Sequence, residues 1–178
     1  GLLEGNSVVT TIMANLGFRE AMRSHDIRVV ETQVGDRYVR EEMEAQGIAL
    51  GGEQSGHLIF RSLATTGDGV LTGLLLADVI ERTGTPLSEL ASVVAGYPQV
   101  LLNVRVANRK GLEGATALWQ EVAAVESELG ETGRVLVRAS GTEPVIRVMV
   151  EARDASTAET SADRIARRAV EVLGSPKL

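Results

Sequence analysis

Two strand-forming runs separated by a very short connection constrain the fold of this chain more than any other part of its sequence. Residues 135–139 and 145–152 are both rich in valine and other aliphatic side chains, as is typical of buried strands. Parallel strands need a crossover of about a dozen residues, so two strands joined by about five residues must be antiparallel. The sequence therefore predicts a β-hairpin with residues 140–144 at its tip.

The pattern around this hairpin predicts a small domain in the second half of the chain. A strand is predicted over 100–106, an amphipathic helix over 114–129 and a closing helix over 156–173. With the two strands of the hairpin, the predicted order of elements is β-α-β-β-α.

In the first half of the chain, predicted strands and helices alternate. Pro86 and Pro98 bracket a short predicted helix over 87–96, and we place the domain boundary next to Pro98. The predicted fold class is therefore α/β with two domains, residues 1–96 and residues 97–178. In the first domain, strands are predicted over 8–13, 27–32, 48–50 and 58–60, and helices over 18–24, 37–46 and 68–83.

Two of these helices have an acidic residue at their predicted start. Asp36 precedes the helix over 37–46 and Asp68 opens the helix over 68–83, where a carboxylate can accept hydrogen bonds from the first backbone N–H groups. The second of these helices is apolar on most sides, which predicts that it is buried. One carboxylate in the run 65–69 is too few oxygen ligands for Mg²⁺ or Ca²⁺, so we assign Asp68 to capping.

The composition excludes several classes of function. Aromatic side chains make up 3% of the residues and the net charge is −6, which argues against a nucleic-acid partner. The absence of cysteine excludes disulfides, thiolate metal sites and a cysteine nucleophile. No apolar stretch is long enough to span a bilayer, so we expect a cytoplasmic protein with no membrane partner. Because the chain opens on Gly1 rather than on methionine, we expect it to be part of a longer or processed protein.

The predicted hairpin tip has the chemistry of an anion site. Ser140-Gly141-Thr142 offers two hydroxyl groups and a flexible glycine, so neighbouring backbone N–H groups can converge on one anion. Arg138 and Arg147 flank this run, and two guanidinium groups on paired strands can reach the same phosphate. The residues alone leave a plain turn with solvated arginines equally open.

The run Gly-Glu-Gln-Ser-Gly-His at residues 52–57 has side chains suited to sugar hydroxyl groups. In an extended segment Glu53 and Ser55 would point to the same side, where a carboxylate and a hydroxyl can bind a vicinal diol. His57 continues the same register and could act as an acid or base, or bind a substrate oxygen. A glycine-rich turn with a half-exposed His57 is the simpler interpretation, and the spacing alone favours it.

Taken together, these runs resemble the motifs of one known family. The run at 52–57, the Thr-Thr-Gly-Asp-Gly run at 65–69 and the Arg-Ala-Ser-Gly-Thr-Glu-Pro-Val-Ile-Arg run at 138–147 resemble the α-D-phosphohexomutases. Gln54 and the Val-Gly-Asp-Arg-Tyr-Val run at 34–39 are most similar to the glucosamine branch of that family. The likeness extends over essentially the whole chain.

The resemblance implies a four-domain enzyme, of which this chain is the carboxy-terminal half. It implies that an incomplete α/β domain three supplies Glu53 and Ser55 to bind the sugar. We expect His57, near the transferring oxygen, to be a proton carrier. Domain four is implied to be a two-layer unit similar to the TATA-binding-protein fold, which the predicted β-α-β-β-α order fits. The phosphate-binding residues that it implies are Arg138, Ser140, Gly141, Thr142 and Arg147.

The implied reaction interconverts glucosamine 6-phosphate and glucosamine 1-phosphate, for the synthesis of UDP-N-acetylglucosamine and peptidoglycan precursors. It passes through a phosphoserine and a bisphosphate intermediate. The family's phosphoserine motif and its Asp-x-Asp-x-Asp-Arg magnesium loop do not occur in this sequence, so we expect no catalysis by this chain alone.

The resemblance also implies the cofactors and partners of the full-length enzyme. The cofactors are Mg²⁺ and a glucose- or glucosamine-bisphosphate activator. The partners are domains one and two, and a second copy of the enzyme in a homodimer. The alternatives are a phosphomannomutase or phosphoglucomutase relative, or a non-catalytic phosphosugar-binding module.

Overall fold

The computed structural model describes residues 3–141 and 143–175. The chain divides into two compact units, residues 1–96 and residues 97–178. Each unit has a sheet and a hydrophobic core of its own, and each is described by itself.

The first unit is built on a four-stranded sheet. Its elements are β1 (Ser7–Thr11), α1 (Leu16–Ser24), β2 (Arg28–Thr32), α2 (Asp36–Gln46), β3 (Leu50–Gly52), β4 (Leu58–Phe60), α3 (Gly69–Thr83) and α4 (Leu87–Ala91). The strand order is β2-β1-β3-β4, with β1 parallel to both of its neighbours and β4 antiparallel to β3. The hairpin β3-β4 therefore ends the sheet and carries residues 53–57 at its turn.

Helix α2 packs closely against this sheet because the strand beneath it carries a glycine. Val39 and Met43 of α2 are fully buried against Val9 and Ile59 of the sheet. A Cβ atom on Gly51 would lie 2.5 Å from the sulfur of Met43 and 2.8 Å from Val39 Cγ1. Any larger residue at position 51 would therefore push α2 away from the sheet.

We predict that Gly51→Ala destabilises the first unit by about 1–3 kcal/mol, because the added methyl group overpacks the contact with α2. Urea unfolding followed by circular dichroism measures the change. Gly73→Ala is the matched control, since a Cβ atom there meets nothing within 4 Å. The control should stabilise α3 by about 0.5–1 kcal/mol, because alanine is the better helix former. Equal effects of the two substitutions would contradict the packing argument.

The apolar helix α3 is exposed, so the prediction that it is buried was wrong. No residue of α3 is buried, and Val70 and Leu74 are 76% and 66% exposed. Its start was predicted correctly, because the side chain of Asp68 accepts hydrogen bonds from the backbone N–H groups of Val70 and Leu71 at 2.9 and 3.0 Å. Apolar side chains are buried only where another surface lies against them, and no described element of the first unit packs extensively over this helix.

Several element boundaries also differ from the prediction. Helix α2 is capped by Gly35, not by Asp36, which is the first helical residue and makes no capping hydrogen bond. Gly35 has φ of 134°, a backbone conformation that strongly favours glycine, so the helix starts after it. The predicted helix over 87–96 ends at Ala91, and the strand predicted over 48–50 lies at Leu50–Gly52.

The second unit has a three-stranded antiparallel sheet. Its elements are β5 (Gln99–Arg105), α5 (Thr116–Leu129), β6 (Gly133–Ala139), β7 (Val145–Ala152) and α6 (Ala155–Leu173). Strand β7 lies between β5 and β6 and is antiparallel to both. The predicted hairpin and the predicted β-α-β-β-α order are both confirmed.

The two faces of β7 have different chemistry. Alternate residues along the strand are fully buried in the core formed with the helices: Ile146, Val148 and Val150. Side chains alternate across a strand, so Arg147 and Glu151 lie on the opposite face. On β6, Arg138 pairs with Arg147 and Arg134 pairs with Glu151. The core register thus places two pairs of charged residues side by side on the face away from the helices.

Glu151 forms a buried ion pair with Arg134. The guanidinium of Arg134 donates to both carboxylate oxygens of Glu151, at 2.7 and 3.1 Å. The side chain of Glu151 is completely buried and that of Arg134 is 15% exposed. A buried carboxylate without its cation would be strongly unfavourable, so the pair holds β6 against β7 in this register.

We predict that Arg134→Met destabilises the second unit by about 3–5 kcal/mol, because Glu151 is left buried without its cation. Adding Glu151→Met should recover most of this loss, since the buried carboxylate is then gone. Thermal and urea unfolding of the single and double variants measure the difference. If the double variant were less stable than Arg134→Met, the cost would come from lost packing and not from the unpaired carboxylate.

Candidate functional site

The tip loop, residues 140–144, is closed by hydrogen bonds of Ser140. Its backbone N–H donates to the carbonyl oxygen of Val145 at 3.0 Å, one step beyond the last ladder pair. Its hydroxyl oxygen accepts from the N–H of Glu143 at 3.3 Å, and the residue is only 3% exposed. Gly141 is surrounded by open space. Thr142, the remaining predicted phosphate ligand of the loop, lies outside the described residues.

The two flanking arginines are brought together as predicted. Arg138 and Arg147 stand directly opposite each other on adjacent strands. Burial lowers the pKa of the Arg138 guanidinium, and the neighbouring charge of Arg147 lowers it further. Like charges directly opposite each other across a sheet are destabilising, so this pair favours binding of an anion.

The only acidic contact that the described residues make with this pair is a single carboxylate. Nη2 of Arg147 donates to Glu143 Oε2 at 3.2 Å, and more than half of the Glu143 side chain is exposed. Nε of Arg147 is buried and has no hydrogen-bond partner among the described residues. The site therefore keeps unused positive charge and unused N–H donors, as a phosphate site requires.

A third arginine, which the sequence motifs did not predict, contacts the loop. Nη1 of Arg109 donates to the carbonyl oxygen of Glu143 at 2.7 Å and also to the carbonyl oxygen of Ser140. Arg109 begins the short 3-10 turn Arg109–Gly111 that follows β5. No local motif marks this residue, because its partners lie more than thirty residues away along the chain.

Residues 53–57 form a turn and not an extended segment. Gly56 N–H donates to the carbonyl oxygen of Glu53, and Glu53 N–H donates to that of His57, both at 3.0 Å. These bonds continue the β3-β4 ladder around its tip, and Ser55 is exposed there. The geometry agrees with the simpler interpretation of this segment, a glycine-rich turn.

The side chains of Glu53 and His57 both lie close to the start of α2. The N–H of Gly35 donates to Glu53 Oε1 at 2.9 Å. Nδ1 of His57 lies 3.6 Å from Asp36 Oδ2, which is an ion-pair distance when the imidazole is protonated. The His57 ring also lies against Gly67, where a Cβ atom would be 2.2 Å from the ring carbon Cδ2. Glu53 and His57 are therefore held at the same edge of the first unit, one by a backbone N–H and one beside a carboxylate.

Neither a metal site nor a membrane-spanning helix occurs among the described residues. Residues 3–141 and 143–175 contain no group of three or more acidic or histidine side chains that could hold a metal ion. Among the described helices, none is long and apolar enough to cross a membrane.

Comparison with known proteins gives the two halves of the chain separate family matches. Residues 1–97 match the alpha/beta/alpha domain III of phosphoglucomutase/phosphomannomutase, and residues 101–168 match the C-terminal domain of the same family. The chain belongs to the phosphoglucomutase/phosphomannomutase family. This membership confirms the predicted fold class, a domain three followed by a domain four.

Curated relatives point to one branch of this family. The phosphoglucosamine mutase of Salinispora tropica is 57% identical over 93% of this chain. Those of Brevibacillus brevis and Streptomyces coelicolor are both 53% identical, over 93% and 97% of the chain. These matches confirm the predicted resemblance to the glucosamine branch. The chain spans 37% to 38% of the length of these relatives.

Solved structures agree on the fold. The N-acetylphosphoglucosamine mutase of Aspergillus fumigatus superposes with a TM-score of 0.83 at 23% identity, over 94% of this chain and 39% of that one. Two further structures of that enzyme cover the same shares, one with GlcNAc-6P and magnesium (TM-score 0.78, 21% identity) and one, a serine-to-alanine variant, with glucose 1,6-bisphosphate (TM-score 0.76, 22% identity). At these identities the likeness shows the fold alone.

We predict that Gly67→Ala displaces the imidazole of His57, because the new methyl group would overlap the ring. The stability change should stay below about 1 kcal/mol, since the ring can rotate away at the surface. The NMR resonances of the two imidazole rings measure this: His57 should shift, while His25 stays as an internal reference. Gly69→Ala is the control, because a Cβ atom there meets nothing within 4 Å. An unchanged His57 resonance in Gly67→Ala would contradict the contact.

Proposed function

We propose that this chain is the sugar- and phosphate-binding part of a phosphoglucosamine mutase, which interconverts glucosamine 6-phosphate and glucosamine 1-phosphate. The observation that carries the proposal is the pair formed by Arg138 and Arg147, which face each other beside the tip loop. The choice of sugar is supported by relatives named phosphoglucosamine mutase at 53% to 57% identity.

The proposed task of the tip loop is to hold the phosphate that is not reacting. Arg147 offers a guanidinium whose one acidic contact among the described residues is Glu143, and the guanidinium of Arg138 has no acidic partner among them. A phosphate carries more charge than one carboxylate, so it displaces the exposed side chain of Glu143 from Arg147. Such work is positioning and charge stabilisation, which needs no bond chemistry from these residues.

The proposed task of the 53–57 turn is to bind the sugar. One carboxylate oxygen of Glu53 is held by the N–H of Gly35, which leaves the other oxygen for a sugar hydroxyl. Ser55 is exposed at the turn and can donate or accept. His57, beside Asp36, can bind a substrate oxygen or carry its proton.

The groups that transfer phosphate are proposed to lie on other domains. The described residues of this chain do not fit a magnesium site, so no step is assigned to a metal here. Mg²⁺, a phosphoserine and a sugar-bisphosphate activator belong, in this proposal, to the intact enzyme, whose domains one and two are partners of this chain. We place that enzyme in the cytoplasm, where its product would enter peptidoglycan precursor synthesis.

The phosphate site is tested by titrating the chain with glucosamine 6-phosphate while recording backbone amide NMR spectra. The resonances of residues 138–147 should shift, and Arg147→Ala should weaken binding by roughly 10- to 100-fold, because a charged hydrogen-bonding group is lost. Arg153→Ala is the matched control, since Arg153 is exposed beyond the other end of β7. Equal binding by the wild type and Arg147→Ala would show that the phosphate site lies elsewhere.

The sugar preference is tested separately with the 6-phosphates of glucosamine, glucose and mannose. Glucosamine 6-phosphate should bind most tightly, and Glu53→Gln should weaken binding of the sugar phosphates while leaving inorganic phosphate binding unchanged. Tighter binding of glucose or mannose 6-phosphate would instead favour a phosphoglucomutase or phosphomannomutase.

A further inference from the structure

The hydrogen bonds of Arg109 determine how one peptide group of the tip loop is oriented. Its guanidinium donates to the carbonyl oxygen of Ser140 and to that of Glu143, with the latter at 2.7 Å. In a trans peptide the C=O of one residue and the N–H of the next point in opposite directions. A carbonyl of Ser140 that is directed towards Arg109 therefore directs the N–H of Gly141 away from it.

The hydrogen bond from Arg109 to the carbonyl oxygen of Glu143 does not orient a backbone N–H group in the same way. The residue after Glu143 is Pro144, which has no N–H. The bond to Glu143 instead fixes the far end of the loop. One guanidinium thus contacts both ends of the loop, and hydrogen bonds from a charged donor are stronger than those between neutral groups.

The segment that carries Arg109 is itself firmly anchored. The N–H groups of Ala107 and Asn108 donate to the carbonyl oxygens of Gly174 and Leu173 at the end of α6, at 2.9 and 3.0 Å. The indole N–H of Trp119 on α5 donates to the carbonyl oxygen of Leu112 at 2.8 Å. Arg109 therefore extends from a support that is tied to both helices of the second unit.

The loop has few other constraints among the described residues. The backbone bond from Ser140 to Val145 closes its base, and the 3.3 Å bond from Glu143 to the Ser140 hydroxyl is long. The Arg147 contact with Glu143 is exposed and would be given up when an anion binds. Once an anion has bound, the hydrogen bonds from Arg109 would thus be the main contacts between the loop and the rest of the second unit.

We propose that Arg109 is a positioning residue for the phosphate site, which it serves by ordering the tip loop and aiming the N–H of Gly141 at the anion. This inference rests on the proposed function of the loop. Arg109 acts through the two backbone carbonyl groups. Its effect on phosphate binding therefore differs from the general attraction that any nearby positive charge provides.

The test compares Arg109→Ala with Lys110→Ala. Each variant removes one positive charge from the same turn, but no hydrogen bond from Lys110 to the tip loop occurs among the described residues. Amide hydrogen exchange of Ser140 and Glu143, whose N–H groups are hydrogen-bonded within the hairpin tip, should rise roughly tenfold in Arg109→Ala only. Affinity for inorganic phosphate should likewise fall roughly tenfold in that variant and change little in Lys110→Ala. Arg109→Lys, which keeps a charged donor, should recover part of both losses.

Two outcomes would overturn the proposal. Equal losses of phosphate affinity in Arg109→Ala and Lys110→Ala would mean that only charge matters. Unchanged exchange at Ser140 and Glu143 in Arg109→Ala would mean that the loop is ordered without this residue. If Arg109→Ala fails to fold, Arg109→Gln is measured with the same expectations.

Different results would contradict the proposed function and this inference. If the wild-type chain binds no phosphate, the site assignment is wrong. The exchange comparison would then still decide whether Arg109 orders the loop.

Discussion

Burial of one face of β7 is the constraint on which the rest of the second unit depends. Ile146, Val148 and Val150 are completely buried against the helices, and a slip of one residue would turn all three out of the core. The register of the hairpin is therefore strongly specified. Because side chains alternate, the same register places Arg147 opposite Arg138 on the other face. The hydrophobic core thus positions the candidate phosphate site without contacting it.

The two ends of the hairpin differ in how the charges of their arginines are balanced. Near its base, Arg134 and Glu151 neutralise each other where water is excluded. At its tip, Arg138 and Arg147 are both positive, and among the described residues only the exposed carboxylate of Glu143 contacts Arg147. The first arrangement stabilises the fold, while the second leaves charge available for an anion. A sheet that is held firmly at one end can keep such an unfavourable pair in place at the other.

Local patterns were enough to predict much of this protein. The short connection between two aliphatic runs required an antiparallel hairpin, and Asp68 caps α3 because a carboxylate at a helix start can accept from the first backbone N–H groups. The failures have a common origin. The burial of α3 was inferred from side-chain character, as was the alternative in which Glu53 and Ser55 lie in an extended segment. Side-chain character does not reveal what lies opposite a helix or how a chain turns.

The sequence by itself determined the elements of the second unit, their order and the family to which the chain belongs, because these depend on short-range periodicity and on contiguous motifs. Only the tertiary structure decided that Arg109 contacts the tip loop, that Gly35 holds Glu53, and that Asp36 lies beside His57. Each of these contacts joins residues far apart along the chain. Their meeting is a consequence of strand pairing and helix packing, and no local pattern of residues encodes it.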